Sequence, residues 1–177
     1  MNKSTRYSIG AVAASWLLLL AACDGIDFSQ DNSRSFAATY SQARGSLEAG
    51  NFETAAKRYD AMLATAGPLE TRLRLEKSHA LLRADRYAAA SQEARIVAES
   101  HSDNRRAAAL AVVGTAEHRL AQEAMSQGDF GPTTVGHLTR ARNALKEMLA
   151  TAPDLDPLGS MANRLAMVEA SLKNLGA

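Results

Sequence analysis

Met62-Leu63-Ala64-Thr65-Ala66 recurs letter for letter as Met148-Leu149-Ala150-Thr151-Ala152, followed by Gly67-Pro68 in the first copy and Pro153 in the second. Each copy is an apolar, alanine-rich helix end closed by residues that do not continue a helix. Two identical helix ends in a chain of 177 residues point to an internal repeat.

Working outward from the first copy, Ala43, Gly50-Asn51-Phe52, Ala55, Tyr59 and Leu63 form a unit. A small residue sits in one helix, a Gly-x-aromatic turn follows, and an alanine comes three residues later in a second helix. A second unit offers Ser78, Asp85-Arg86-Tyr87, Ala90, Ala94 and Val97. A third offers Val113-Gly114, Gln127-Gly128-Asp129-Phe130, Ala141, Leu145 and Met148-Leu149. Small residues at fixed positions let paired helices approach closely, while the turn aromatic and the apolar residues of the second helix fill the gap between them.

This pattern resembles the tetratricopeptide repeat family over residues 36–153. The resemblance implies an all-α, TPR-like right-handed α-solenoid of about three helical hairpins. The signature Trp and Tyr of the first helix are absent, and Lys77 stands where the family has leucine. In the third unit Gly114 to Gly128 is fourteen residues where the family has seven. Those seven extra residues are about two helical turns, which keep the same face inward. Gly131, Pro132 and Gly136 then mark a longer loop at 128–136.

Beyond Pro153, Asp156-Pro157 is a helix start, with the aspartate as N-cap and the proline at the first helical position. Leu158, Met161, Leu165, Val168, Leu172 and Leu175 step three or four residues apart, a single apolar stripe suited to a capping helix. The periodicity predicts helices over 36–49, 53–66, 69–84, 87–101, 104–127, 135–151 and 157–174.

Composition agrees with packed helices: 46% of residues are hydrophobic but only 5% aromatic, with alanine dominant. The N-terminus reads as a targeting segment, with Lys3 and Arg6, an apolar run Ile9–Leu20 and small residues Ala21-Ala22. The run is too short for an ordinary membrane span. Leu20-Ala21-Ala22-Cys23 resembles the lipobox of bacterial lipoprotein precursors, which implies cleavage before Cys23 and a lipid on its thiol. Lipidation would consume the chain's only cysteine. Residues 1–22 are thus expected as a cleaved signal peptide, 23–35 (through DGIDFSQDNSRS) as a polar tether and 36–177 as the repeat domain. Loss of the leader leaves 18 basic and 19 acidic residues, unlike the strongly basic balance of a nucleic-acid binder. Asp24 resembles the inner-membrane retention signal of enteric bacteria. Other bacteria use different rules, so the expected place is the cell envelope, facing the periplasm, with inner or outer membrane left open.

No catalytic motif is present. His79, His101, His118 and His137 have no metal-ligand spacing, so neither a metal nor a cofactor is expected, and Asp154 and Asp156 read as turn and capping residues. Met62, Met125, Met148, Met161 and Met167 fall at helical positions and read as core fillers, and Gly114 as a close-packing residue.

What remains is a binding surface. The tetratricopeptide resemblance implies a groove lined by first-helix residues: Tyr40, Arg44 and Leu47, then Arg72, Leu75, His79, Leu82 and Arg83, then Thr115, His118, Arg119 and Gln122. With Glu48 as its one acid, such a groove would be locally basic and suit an acidic peptide or a C-terminal carboxylate. Arg58 and Arg95 fall on second helices, outside it. The expected role is a non-enzymatic adaptor for protein partners of the envelope, such as pilus, secretin, outer-membrane protein or polysaccharide export assemblies. The alternative is a docking regulator of a peptidoglycan-modifying enzyme.

Overall fold

The first hairpin turns at Gly50, where a helix ending at Glu48 gives way to one starting at Phe52. In this computed structural model, which describes residues 28–177, that turn is the first of a series. The helices are α1 (Phe28–Glu48), α2 (Phe52–Leu63), α3 (Glu70–Arg83), α4 (Tyr87–Ser100), α5 (Asn104–Ser126), α6 (Pro132–Thr151) and α7 (Ser160–Asn174). No strand occurs among the described residues, so the fold is all-α.

The odd-numbered helices end alike. After α1 the Asn51 amide donates to Ser46 O (2.8 Å) and the Gly50 amide to Leu47 O (3.1 Å). After α3 the Arg86 amide donates to Leu81 O (2.9 Å) and the Asp85 amide to Leu82 O (3.3 Å). After α5 the Asp129 amide donates to Ala124 O (2.9 Å) and the Gly128 amide to Met125 O (3.0 Å). After α7 the Ala177 amide donates to Leu172 O (3.0 Å) and the Gly176 amide to Lys173 O (3.1 Å). This is the Schellman closure, which needs one residue in the left-handed region. Gly50, Gly128 and Gly176 supply it at φ 79°, 83° and 73°, and Asp85 at 58°. Aspartate is among the few side chains that tolerate this region.

Packing follows the chain. Ala43, Ala55, Ala56, Tyr59, Leu73 and Ala80 bury together where α1, α2 and α3 meet. Ala90, Ala94 and Val97 of α4 meet Ala109, Val112, Val113 and Ala116 of α5 and Met148 of α6. Ala121, Leu138, Leu145, Val168 and Leu172 join α5, α6 and α7. Each helix from α2 to α6 packs against its successor, and α3 also meets α5, as α5 meets α7. Gly114 permits one of these approaches, because a Cβ there would stand 2.5 Å from Leu145 Cγ. The packed unit comprises residues 36–177.

The two copies of the repeated pentapeptide share burial: Met62 and Met148, Ala66 and Ala152 are all buried. Each runs into a short 3-10 turn, Gly67–Leu69 or Pro153–Leu155.

Four expectations change. Residues 28–35, read as tether, are helical; extending an existing helix adds one hydrogen bond per residue without a new nucleation cost, and no proline or glycine interrupts them. The loop expected at 128–136 is shorter, because α6 starts at Pro132, whose missing amide costs nothing in a first turn. The last helix starts at Ser160, not at Pro157. Gly159, at φ 67°, redirects the chain so that the Asp156 carboxylate reaches forward to the amides of Met161 (3.0 Å) and Ala162 (2.9 Å). Leu158 is therefore outside the buried stripe and 90% exposed, and Met167 is also exposed.

Candidate functional site

The residues of the expected groove fall into three settings. Near α1 and α3, Tyr40 donates to Glu76 Oε1 (3.1 Å), Arg44 pairs with Glu76 (3.3 Å) and Glu48 (3.1 Å), and Arg72 lies over the Tyr40 ring at 5.2 Å. Glu76, one helical turn from Arg72 on the same helix, was absent from the sequence tally of acids. It makes this part of the face less basic than expected, since Arg44 meets two carboxylates.

Farther along α3, Arg83 stacks on the Phe52 ring at 4.1 Å. His79 is exposed, and Leu75 packs against the core shared by α4 and α5. Leu75 thus serves packing more than an open surface.

His118, Arg119 and Gln122 come together in one cavity of about 470 Å³, with Tyr87 on one side and Asn163, Arg164 and Met167 of α7 on the other. Arg119 donates to the Tyr87 hydroxyl from Nε (3.1 Å) and Nη2 (2.9 Å), and that hydroxyl donates to Asp85 (2.5 Å). Arg164 Nη1 lies 3.3 Å from His118 Nδ1, so that nitrogen accepts and the neutral ring carries its proton on Nε2. Burial, with the nearby charges of Arg164 and Arg119, pulls the His118 pKa down to about 4.

Sequence reasoning missed a second polar centre, between α4, α5 and α6. Glu117 is buried at 2% exposure and accepts four hydrogen bonds. Ser91 (2.6 Å) and Arg95 reach Oε1; His137 Nδ1 (2.7 Å) and Arg140 Nε (2.8 Å) reach Oε2. Burial pushes the Glu117 carboxyl up, but the bonds from Ser91, His137 and Arg140 outweigh it and hold it below its ordinary value. Ser91, Arg95, His137 and Arg140 border a cavity of about 510 Å³. A smaller centre repeats the design, with buried Glu93 held by Arg74 (2.5 Å) and Lys77 (2.7 Å), the latter also reaching Asp60 (2.6 Å). The signal was available: Glu93 and Glu117 stand three or four residues from Ala90, Val97, Val113 and Ala121, on inward stripes. Their partners come from other helices and could not be read locally.

Arg95 therefore is no bystander on an outer face. Arg58 is not either, since it donates to Gln42 O (2.7 Å) and Ser46 Oγ (2.7 Å). Cys23 lies outside the described residues. Among the described residues no three His, Cys, Asp or Glu side chains could hold a metal ion. No helix among them is long and apolar enough to cross a membrane.

Fold and site define an all-α protein with arginines displayed along α3 and α5 and two buried glutamate centres behind them. No family model, no curated protein and no solved structure matches the chain.

Proposed function

We propose that the protein is a non-enzymatic, lipid-anchored adaptor of the cell envelope whose helices form a tetratricopeptide-like solenoid and bind an acidic segment of a protein partner. The observation that carries this reading is the recurrence of one device. Phe52 and Tyr87 each open a second helix, and each takes an arginine of the next first helix on its ring, Arg83 at 4.1 Å and Arg119 at 5.2 Å. Both guanidiniums remain exposed. Arginine held on an aromatic face can still offer planar donors to a carboxylate, Arg119 those that its bonds to Tyr87 leave over, which makes it a common anchor of interfaces. The four matching helix closures support the repeat, and the lipobox-like Leu20-Ala21-Ala22-Cys23 supports the anchor.

Two experiments test it. Cys23→Ser should abolish lipid labelling and leave the leader uncut by the lipoprotein-specific peptidase; a wild-type, membrane-bound product from this variant would sink the anchor. For the adaptor, cross-linked partners from envelope extract should be lost on charge reversal at Arg72, Arg83 and Arg119. Reversal at Lys57 and Lys173, exposed elsewhere, should leave them in place. Equal effects from both sets would move the binding surface off this face.

A further inference from the structure

Arg164 has no ion-pair partner among the described residues. Among the described residues its Nε is buried with no hydrogen-bond partner, and its polar contact is His118 Nδ1, a neutral acceptor. Burial first, and then the like charge of Arg119, pull its guanidinium below its ordinary value. Arg119, by contrast, lies in the field of both Asp85 and Glu123. Buried guanidinium groups are ordinarily paired, because an unpaired charge forfeits its hydration without return.

We propose that the cavity between α5 and α7 receives one carboxylate, carried by an acidic side chain of the partner polypeptide, with Arg164 as its binding group. This rests on the adaptor reading. One uncompensated guanidinium matches one monoanion. A planar carboxylate fits the arginine fork through two parallel bonds. Asn163 and Gln122 border the same cavity and add amide donors, while Leu82 and Met167 offer apolar surface for the methylene stem of an aspartate or glutamate.

The test uses the purified full-length protein and a tetraglutamate peptide acetylated and amidated at its ends, with tetraglutamine as control and acetate as a free carboxylate. His118 ring resonances report the cavity directly, since an anion beside Arg164 raises the histidine pKa. The glutamate peptide should raise it, tetraglutamine should not, and acetate should do so only at far higher concentration. Arg164→Met should weaken peptide binding at least tenfold while holding or raising Tm, because it removes an unpaired charge and keeps the bulk. A merely structural arginine would do the reverse, so a lower Tm with unchanged binding overturns the proposal. A His118 response to acetate alone also overturns it. Arg72→Glu and Arg83→Glu, outside the cavity, separate the two claims: if they have no effect while R164M abolishes binding, the cavity stands and the wider face falls.

Discussion

Arg83 of α3 lies over the ring of Phe52 of α2, its guanidinium carbon 4.1 Å from the ring centroid. Arg119 of α5 likewise stands over the ring of Tyr87 of α4, at 5.2 Å. Each pair ties the start of an even-numbered helix to the following odd-numbered one, Arg83 at the last residue of α3 and Arg119 two turns before the end of α5. A double-mutant cycle of Arg83→Ala and Phe52→Leu should give a coupling of about 0.5–1 kcal/mol in urea denaturation, the range of exposed cation–π pairs. A coupling indistinguishable from zero would leave the arginine free for partners but without a positioning role for the ring.

Gly114 should not tolerate a methyl group. Alanine raises helix propensity by about 1 kcal/mol, but its Cβ would fall 2.5 Å and 2.8 Å from two atoms of Leu145, which is fully buried. Overpacking of this kind costs about 1–3 kcal/mol, so Gly114→Ala should destabilise the fold despite the propensity gain. Ala55→Leu and Ala90→Leu, at positions of zero exposure, should each cost about 1–3 kcal/mol. A G114A protein more stable than wild type would show that Leu145 yields freely.

Glu117→Gln should cost about 2–3 kcal/mol at neutral pH. Breaking a buried ion pair typically costs about 3–5 kcal/mol, and the half-exposed Arg95 and Arg140 reduce that through solvent screening. The folded carboxyl titrates below its ordinary value, so its contribution is complete above the unfolded pKa of about 4.3 and is lost as pH falls through the lower, folded value. The gap between variant and wild type should accordingly be flat from about pH 5 upward and close in acid. Denaturation midpoints across that range check it; a gap unchanged at low pH would remove the charge from the explanation.

His118 acts in a separate window. Its folded pKa of about 4 lies under an unfolded value of about 6.5, so the neutral ring stabilises the fold fully above 6.5. That stability drains away as pH falls from 6.5 through 4, by roughly 3 kcal/mol in all. His118→Gln should flatten this limb while leaving stability at pH 7.5 within about 1 kcal/mol. Parallel pH profiles for the two proteins would place the acid sensitivity elsewhere.

The helices were legible because their apolar spacing and turn residues agree. Gly50, Asp85 and Gly128 align in sequence and take the same left-handed conformation, an equivalence that Asp85 alone would not have revealed. Ala55 and Ala90, on the apolar stripes of their helices, are fully buried. The polar centres were not legible to the same degree. Glu117 draws on α4 and α6, Arg44 finds Glu76 on α3, and Arg164 of α7 meets His118 of α5, all contacts set by three-dimensional packing of distant segments. The start of α7 differs from the sequence expectation for a local reason: Asp156 caps the helix, but across a turn in which Gly159 takes the left-handed conformation.

The order of packing along the chain bears on how quickly the protein folds. Among the described residues the core of α1, α2 and α3 draws on Phe36 to Leu81, so its contacts can form before any residue of α5 is in place. Because later helices likewise rest on near neighbours, little loop-closure entropy has to be spent ahead of native contacts, and folding on the microsecond-to-millisecond scale of local helical topologies is the natural regime.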